Sequence, residues 1–270
     1  MMSTVTARFR ALHAGPCFVM ANAWDAGSAR IMAGMGFAAL ATSSGAAAGT
    51  MGRLDGHITR DEALAHAHAI TSAVDVPVSA DLENGFADAP EDVAQTVRMA
   101  ARVGLAGCSI EDARAEGKGL YGFDEAVVRV EAASRSAAAH DMLLTARAEG
   151  FLRGAPDLEE VIRRLRAFEA VGADVLMAPG LPDLDAVRRV CAALTRPFNF
   201  MVGIPGKSFS MTELAGAGVR RISLATSLWK AAMAGMMRAA EEVRDRGTFN
   251  YVQTVPTTAA FAKLLGDQRA

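Results

Sequence analysis

Lysine is nearly absent from this chain. Only Lys118, Lys207, Lys230 and Lys263 occur among 270 residues, and arginine carries most of the positive charge. A Schiff-base aldolase needs a lysine at a strand end in an apolar site. Only Lys207 comes near one, in the loop Gly203-Ile204-Pro205-Gly206-Lys207-Ser208, which reads as an ordinary turn or, as its alternative, a phosphate-binding loop. Cysteine is equally sparse. Cys17, Cys108 and Cys191 show neither a disulfide framework nor metal-ligand spacing, and read as small buried hydrophobes in a reducing compartment. No histidine ends a strand-like run: His13, His57, His66, His68 and His140 fall in expected helices or loops, with His66 and His68 solvated or satisfied locally. Neither sign of charge dominates, with net charge -2 and pI near 6.2, which argues against nucleic-acid or membrane-surface partners. There is no apolar run of the ~20 residues a membrane helix needs and no secretory pattern after the first basic residues, so a cytoplasmic protein is expected.

What the chain does have is apolar residues in two alternating rhythms. It is 51% hydrophobic, enough for a sizeable core. Short β-rich runs cover 17–23, 38–42, 76–81, 107–110, 142–147, 175–178, 198–202 and 221–225. Between them lie helical stretches over 26–35, 60–73, 89–103, 124–139, 158–170, 183–193 and 210–217, most with an apolar period of 3.6. Four junctions repeat one phrase, with Gly36, Gly104, Gly172 and Gly218 each closing a helix where a left-handed cap is needed. Strands alternating with helices imply right-handed βαβ units and a parallel sheet. Eight units in this length predict an α/β (β/α)8 TIM barrel. A doubly wound open sheet is the alternative, weakened by the absence of a Gly-x-Gly-x-x-Gly turn after the first strand. The whole of 1–270 reads as one domain, with 227–270 as a C-terminal helical extension: helix 227–246, a break at Pro256, and a helix over 257–265. The apolar surface of that last helix exceeds what one barrel needs, so part of it is expected to pack on another subunit.

Active sites of this architecture lie at the C-terminal strand ends. Those ends are polar here: Asn22-Ala23-Trp24-Asp25, Thr42-Ser43-Ser44-Gly45, Asp81 and Glu83, Glu111 and Asp112, Arg147 with Glu149 beyond it, and Asn199, with Arg53 and Asp55 in the loop after the second strand. Asp81 and Glu83 are two apart and share one face of an extended chain. Gathered carboxylates repel unless a cation sits among them. Carboxylates without His or Cys favour Mg2+, with Mn2+ possible, over zinc. Such an ion would be chelated by a 2-oxo or 2-hydroxy carboxylate and would stabilise negative charge on its oxygen as an enolate forms.

These residues, in this order, resemble the isocitrate lyase/phosphoenolpyruvate mutase superfamily, over most of the chain. The similarity runs through Asn22–Ala29, Ser43-Ser44-Gly45, Gly52–Asp55, Asp81–Phe86, Ile110-Glu111-Asp112 and Ala146-Arg147. The resemblance implies a barrel whose last helix is swapped between subunits, in a dimer of dimers. It implies Asp81 as the main Mg2+ ligand, and Glu83 in a position where many members have Asp, bound directly or through water. Asp55 and Glu111 become the acids that hold metal-bound waters. Ser43, Ser44 and Gly45 become the turn that binds the substrate carboxylate, and Arg147 the partner of substrate and enolate. Trp24 would wall the pocket, Asp25 would touch substrate or metal water, and Asn199 would contact substrate.

The chain also departs from the superfamily. Isocitrate and methylisocitrate lyases carry a Lys-Lys/Arg-Cys-Gly-His motif in the loop after strand four, whose Cys protonates the departing enolate. Here the loop reads Asp112-Ala113-Arg114-Ala115-Glu116-Gly117-Lys118-Gly119-Leu120-Tyr121-Gly122, with no Cys, no His and no Asn of the phosphonate-handling kind. Its possible proton donors are Arg114, Glu116, Lys118 and Tyr121, or they form a solvated lid. The leading expectation is a Mg2+-dependent lyase or decarboxylase of a small 2-oxo or 2-hydroxy acid. The alternatives are carbon–phosphorus mutase or hydrolase chemistry and a non-catalytic 2-oxoacid-binding barrel.

Overall fold

The computed structural model describes residues 4–115 and 119–266. Eight parallel strands close into a barrel in sequence order: β1 (Phe18–Asn22), β2 (Leu40–Ala41), β3 (Val78–Asp81), β4 (Gly107–Glu111), β5 (Leu143–Arg147), β6 (Val175–Met177), β7 (Phe198–Met201) and β8 (Arg221–Ser223). Every strand falls inside an expected run, apart from the extra Glu111 that ends β4. The helices wrapping the barrel are α2 (Ala26–Gly34), α4 (Arg60–Thr71), α5 (Pro90–Arg102), α6 (Phe123–Ala139), α7 (Leu158–Ala170), α8 (Leu184–Ala193) and α9 (Met211–Gly216). The open-sheet alternative is excluded by the pairing of β1 with β8. Gly36, Gly104, Gly172 and Gly218 all have left-handed φ, between 84° and 105°, as the repeated junction phrase requires.

Two helices have no counterpart in the apolar rhythm. The first, α1 (Thr4–Ala14), closes the N-terminal mouth of the barrel: Phe9 is fully buried beside Met20, Ala106 and Leu143. The second, α3 (Ser44–Thr50), is built of Ser, Gly, Ala and Thr, so no apolar period marks it. It starts because the Ser43 hydroxyl accepts from the Ala46 N–H.

After β8 the chain forms α10 (Ser227–Arg246), a 3-10 turn (Asn250–Gln253) and α11 (Thr258–Leu265). No residue of α10 is buried, and Met236 and Met237 stand 58% and 55% exposed. In this chain α11 packs back on α2, with the Leu264 carbonyl so close to Gly34 that no Cβ would fit there. No helix among the described residues is long and apolar enough to cross a membrane.

Candidate active site

Strand register gathers the charged groups. Asp81 lies beside Ser109, and Glu111 beside Arg147, so β3, β4 and β5 deliver an acid, an acid and a guanidinium to one rim. Arg147 is the hub. Its Nη1 meets Asp81 Oδ1 at 2.9 Å, Nη2 meets Glu111 Oε2 at 3.2 Å, and Nε donates to Glu149 Oε1 at 2.8 Å. Burial works against the charge of Arg147, but Glu149, Asp81 and Glu111 together outweigh it and hold its pKa well above the ordinary value. The Ser44 hydroxyl and N–H donate to Asp81 Oδ2 at 3.1 and 3.3 Å, and the Asp81 N–H donates to Thr42 Oγ1 at 3.0 Å. Glu111 is also held by Arg153 at 3.2 Å. Its burial still raises its pKa, with Arg147 opposing and Glu149 reinforcing.

Glu83 forms no ion pair with any described residue, although Arg147 and Arg153 oppose the rise in its pKa from farther off. It sits just past β3 with φ of 50°, and its Oε1 is buried with no hydrogen-bond partner among the described residues. Burial, followed by repulsion from Asp81 and Asp55, pushes its pKa up to about 7. Asp55 reaches the same space from an exposed loop after α3. The approach is possible because Gly45 lacks a side chain: a Cβ there would sit 3.2 Å from the Asp55 carboxylate. These groups surround two connected cavities, one of about 210 Å3 and one of about 650 Å3, which share Ser44, Asp55, Arg147 and Leu152.

Asn199 is fully buried on the wall of the smaller cavity, accepting from Arg221 Nε at 2.8 Å and donating to Ser223 Oγ at 3.0 Å. The first strand's rim residues do not join this group. Asp25 is the N-cap of α2, its Oδ1 accepting the Ser28 N–H at 2.6 Å, and it lines neither cavity. Trp24 packs its ring against the main core and lines neither cavity. Asp112 is structural: it accepts the Glu149 N–H at 2.8 Å and pairs with Arg164 at 3.0 Å, which steadies the base of Glu149. In the loop after β4, Tyr121 is not a solvated lid residue but fully buried, and Arg114 pairs with Glu125. Glu116 and Lys118 lie outside the described residues. Arg153, Leu152 and the barrel-interior Arg221 were not foreseen. Their partners are distant in sequence, and no spacing announces them.

The sequence model of the phosphoenolpyruvate phosphomutase family matches residues 9–244. The chain belongs to that family. An oxaloacetate decarboxylase of Paraburkholderia xenovorans LB400 is 30% identical over 85% of this chain and 78% of its own length. A solved structure from Burkholderia cenocepacia J2315, provisionally described as a lyase/mutase, is 44% identical, covers 95% of this chain and 94% of its own, and superposes with a TM-score of 0.92. The structure of 2,3-dimethylmalate lyase, a member of the phosphoenolpyruvate mutase/isocitrate lyase superfamily, is 28% identical with a TM-score of 0.87, covering 98% and 96% of the two chains.

Metal dependence is general in the family, and the donor set here is compatible with it. Among the described residues no three carboxylates converge closely enough to cage an ion by themselves. Asp81 and Glu111 are drawn to Arg147 instead. That pattern disfavours a Ca2+- or Zn2+-type cage. It suits an ion that takes one or two carboxylates and keeps its waters. The buried, unpartnered Glu83 Oε1 is the atom that such a cation would satisfy.

Proposed function

We propose that this protein is a Mg2+-dependent lyase or decarboxylase acting on a small 2-oxo or 2-hydroxy carboxylic acid. The observation that carries the reading is the buried Glu83 Oε1, unpartnered among the described residues, close to Asp81 and Asp55 on a cavity also lined by Arg147 and Arg153. Asp81 and Glu83 would hold the ion, with Asp55 and Glu111 accepting from its waters. A bound Mg2+ would supply stabilisation of negative charge on the substrate's 2-oxygen. Arg147, fixed by three carboxylates, presents a cation whose position needs no rearrangement as that charge develops. The rim at Ser43, Ser44 and Gly45 and the spare amide N–H of Asn199 would orient the carboxylate. Leu152 and Met177 supply apolar wall to the smaller cavity.

The test is direct. With Mg2+ present, turnover is measured on oxaloacetate, 2-methylisocitrate, 2,3-dimethylmalate and phosphonopyruvate. Cleavage of one of the three carbon acids is expected, and Asp81→Ala is expected to abolish it. No turnover of any, with tight oxalate binding, would instead mark a binding protein. Wild-type activity in Asp81→Ala would sink the metal assignment.

We also propose a homo-oligomer. A twenty-residue helix with no buried residue, carrying exposed Met236 and Met237, is a surface that a second copy would cover.

A further inference from the structure

The loop that carries Glu83 holds a backbone its residues do not favour. Glu83, Gly85 and Phe86 have φ of 50°, 84° and 56°. A left-handed conformation is costly for a residue with a Cβ, as Glu83 and Phe86 are. A restraint from outside the loop is therefore needed, and α6 provides it. Arg129, 1% exposed, donates Nη1 to the carbonyls of Ala87, at 2.8 Å, and Asp88, and Nη2 to the carbonyl of Asn84. Its Nε is buried with no hydrogen-bond partner among the described residues, so every hydrogen bond of the fork seen here goes to the loop's carbonyls. The same guanidinium lies 3.8 Å from the centroid of the Tyr121 ring. The Tyr121 hydroxyl donates to the Asp88 carboxylate and accepts from Asn84 Nδ2 at 2.9 Å, while Asn84 Oδ1 accepts the Phe86 N–H at 3.0 Å.

Tyr121 also belongs to the segment after β4. Its N–H donates to the Asp112 carbonyl at 2.9 Å, and its own carbonyl accepts from Arg164 at 3.0 Å. One buried cluster thus joins the loop bearing Glu83 to the chain that follows Glu111. Neither Tyr121 nor Arg129 lines either cavity.

We propose that Tyr121 and Arg129 are positioning residues for Glu83, clamping the turn over residues 82–88 so that the Glu83 carboxylate stays in the acidic cavity. The proposal rests on the reading of that cavity as a metal site. Tyr121→Phe keeps the stacked ring and removes both hydroxyl bonds, and Arg129→Lys keeps the charge but cannot span three carbonyls. The affinity of the full chain for Mn2+, followed by the electron paramagnetic resonance of the free ion, is the readout, with the melting temperature measured alongside. Tyr121→Phe, Arg129→Lys and Glu83→Gln are each expected to weaken Mn2+ binding by about tenfold or more. Combining Tyr121→Phe with Glu83→Gln is expected to weaken it no further than Glu83→Gln alone, because the first acts through the second. Wild-type affinity in both Tyr121→Phe and Arg129→Lys, or additive losses in the double variant, would overturn the proposal. If the wild-type protein binds no Mn2+, the metal reading itself fails and the clamp falls with it.

Discussion

Glu83 shows how much one side chain's surroundings can alter its chemistry. Folded, its carboxyl titrates near 7, above the ordinary 4.5, because burial and two neighbouring acids disfavour its charge. The metal-free folded state therefore keeps a proton that the unfolded chain gives up. The Glu83 contribution to stability is complete below about pH 4.5 and is lost as pH rises through about 7. A bound cation reverses the preference. Metal-free protein is expected to melt at lower temperature at pH 8 than at pH 5.5, the increment gained from Mn2+ should grow over that interval, and Glu83→Gln should flatten the Glu83 part of both trends. Arg147 is subject to a different constraint. Arg147→Lys keeps a charge but loses the fork that meets Asp81, Glu111 and Glu149 together. Steady-state kinetics on whichever substrate proves active should show kcat lower by about 100-fold or more, with a smaller change in KM. An unchanged kcat would remove Arg147 from the charge-stabilising role.

Elements place these side chains, and their ends were the legible part of the sequence. The repeated Gly before β2, β4, β6 and β8 marked four helix C-termini because only a residue without Cβ takes φ near 90° cheaply. Gly218→Ala tests this at the tightest of them, where a Cβ would also lie 2.9 Å from Cys191 Cβ. Urea unfolding is expected to show a loss of about 1–3 kcal/mol. The elements that escaped notice lack the signals that reading depends on. The short helix α3 has no apolar period, and α1 is recognised as part of the fold only when Phe9 and His13 are seen against the strand starts. Asp25 shows a second kind of ambiguity. An acid just past a strand end is both a plausible ligand and a good N-cap, and the Ser28 N–H at 2.6 Å shows that one Asp25 oxygen serves the cap.

At the scale of the whole molecule, the unpartnered face of α10 is the feature that most needs an explanation. Light scattering on the purified protein is expected to give a mass above the 28.2 kDa of one chain. Met237→Asp should shift the mass toward the monomer, whereas a wild-type monomer would refute the assembly. The sequence by itself determined the barrel, its eight strand positions, the rim acids and Arg147, because these follow from local periodicity and from residue types repeated at strand ends. It also located the departure after Glu111-Asp112, where the lyase signature is missing. Only the tertiary structure decided which acids are paired and which is left over, that Trp24 and Asp25 serve packing and capping, and that Arg129 and Tyr121 grip the acidic loop. The pairing of Asp81 and the grip on the acidic loop depend on partners far apart in sequence, such as Arg147 with Asp81, 66 residues away, and Asn84 with Tyr121, 37 residues away. No local pattern records which distant groups meet once the barrel closes.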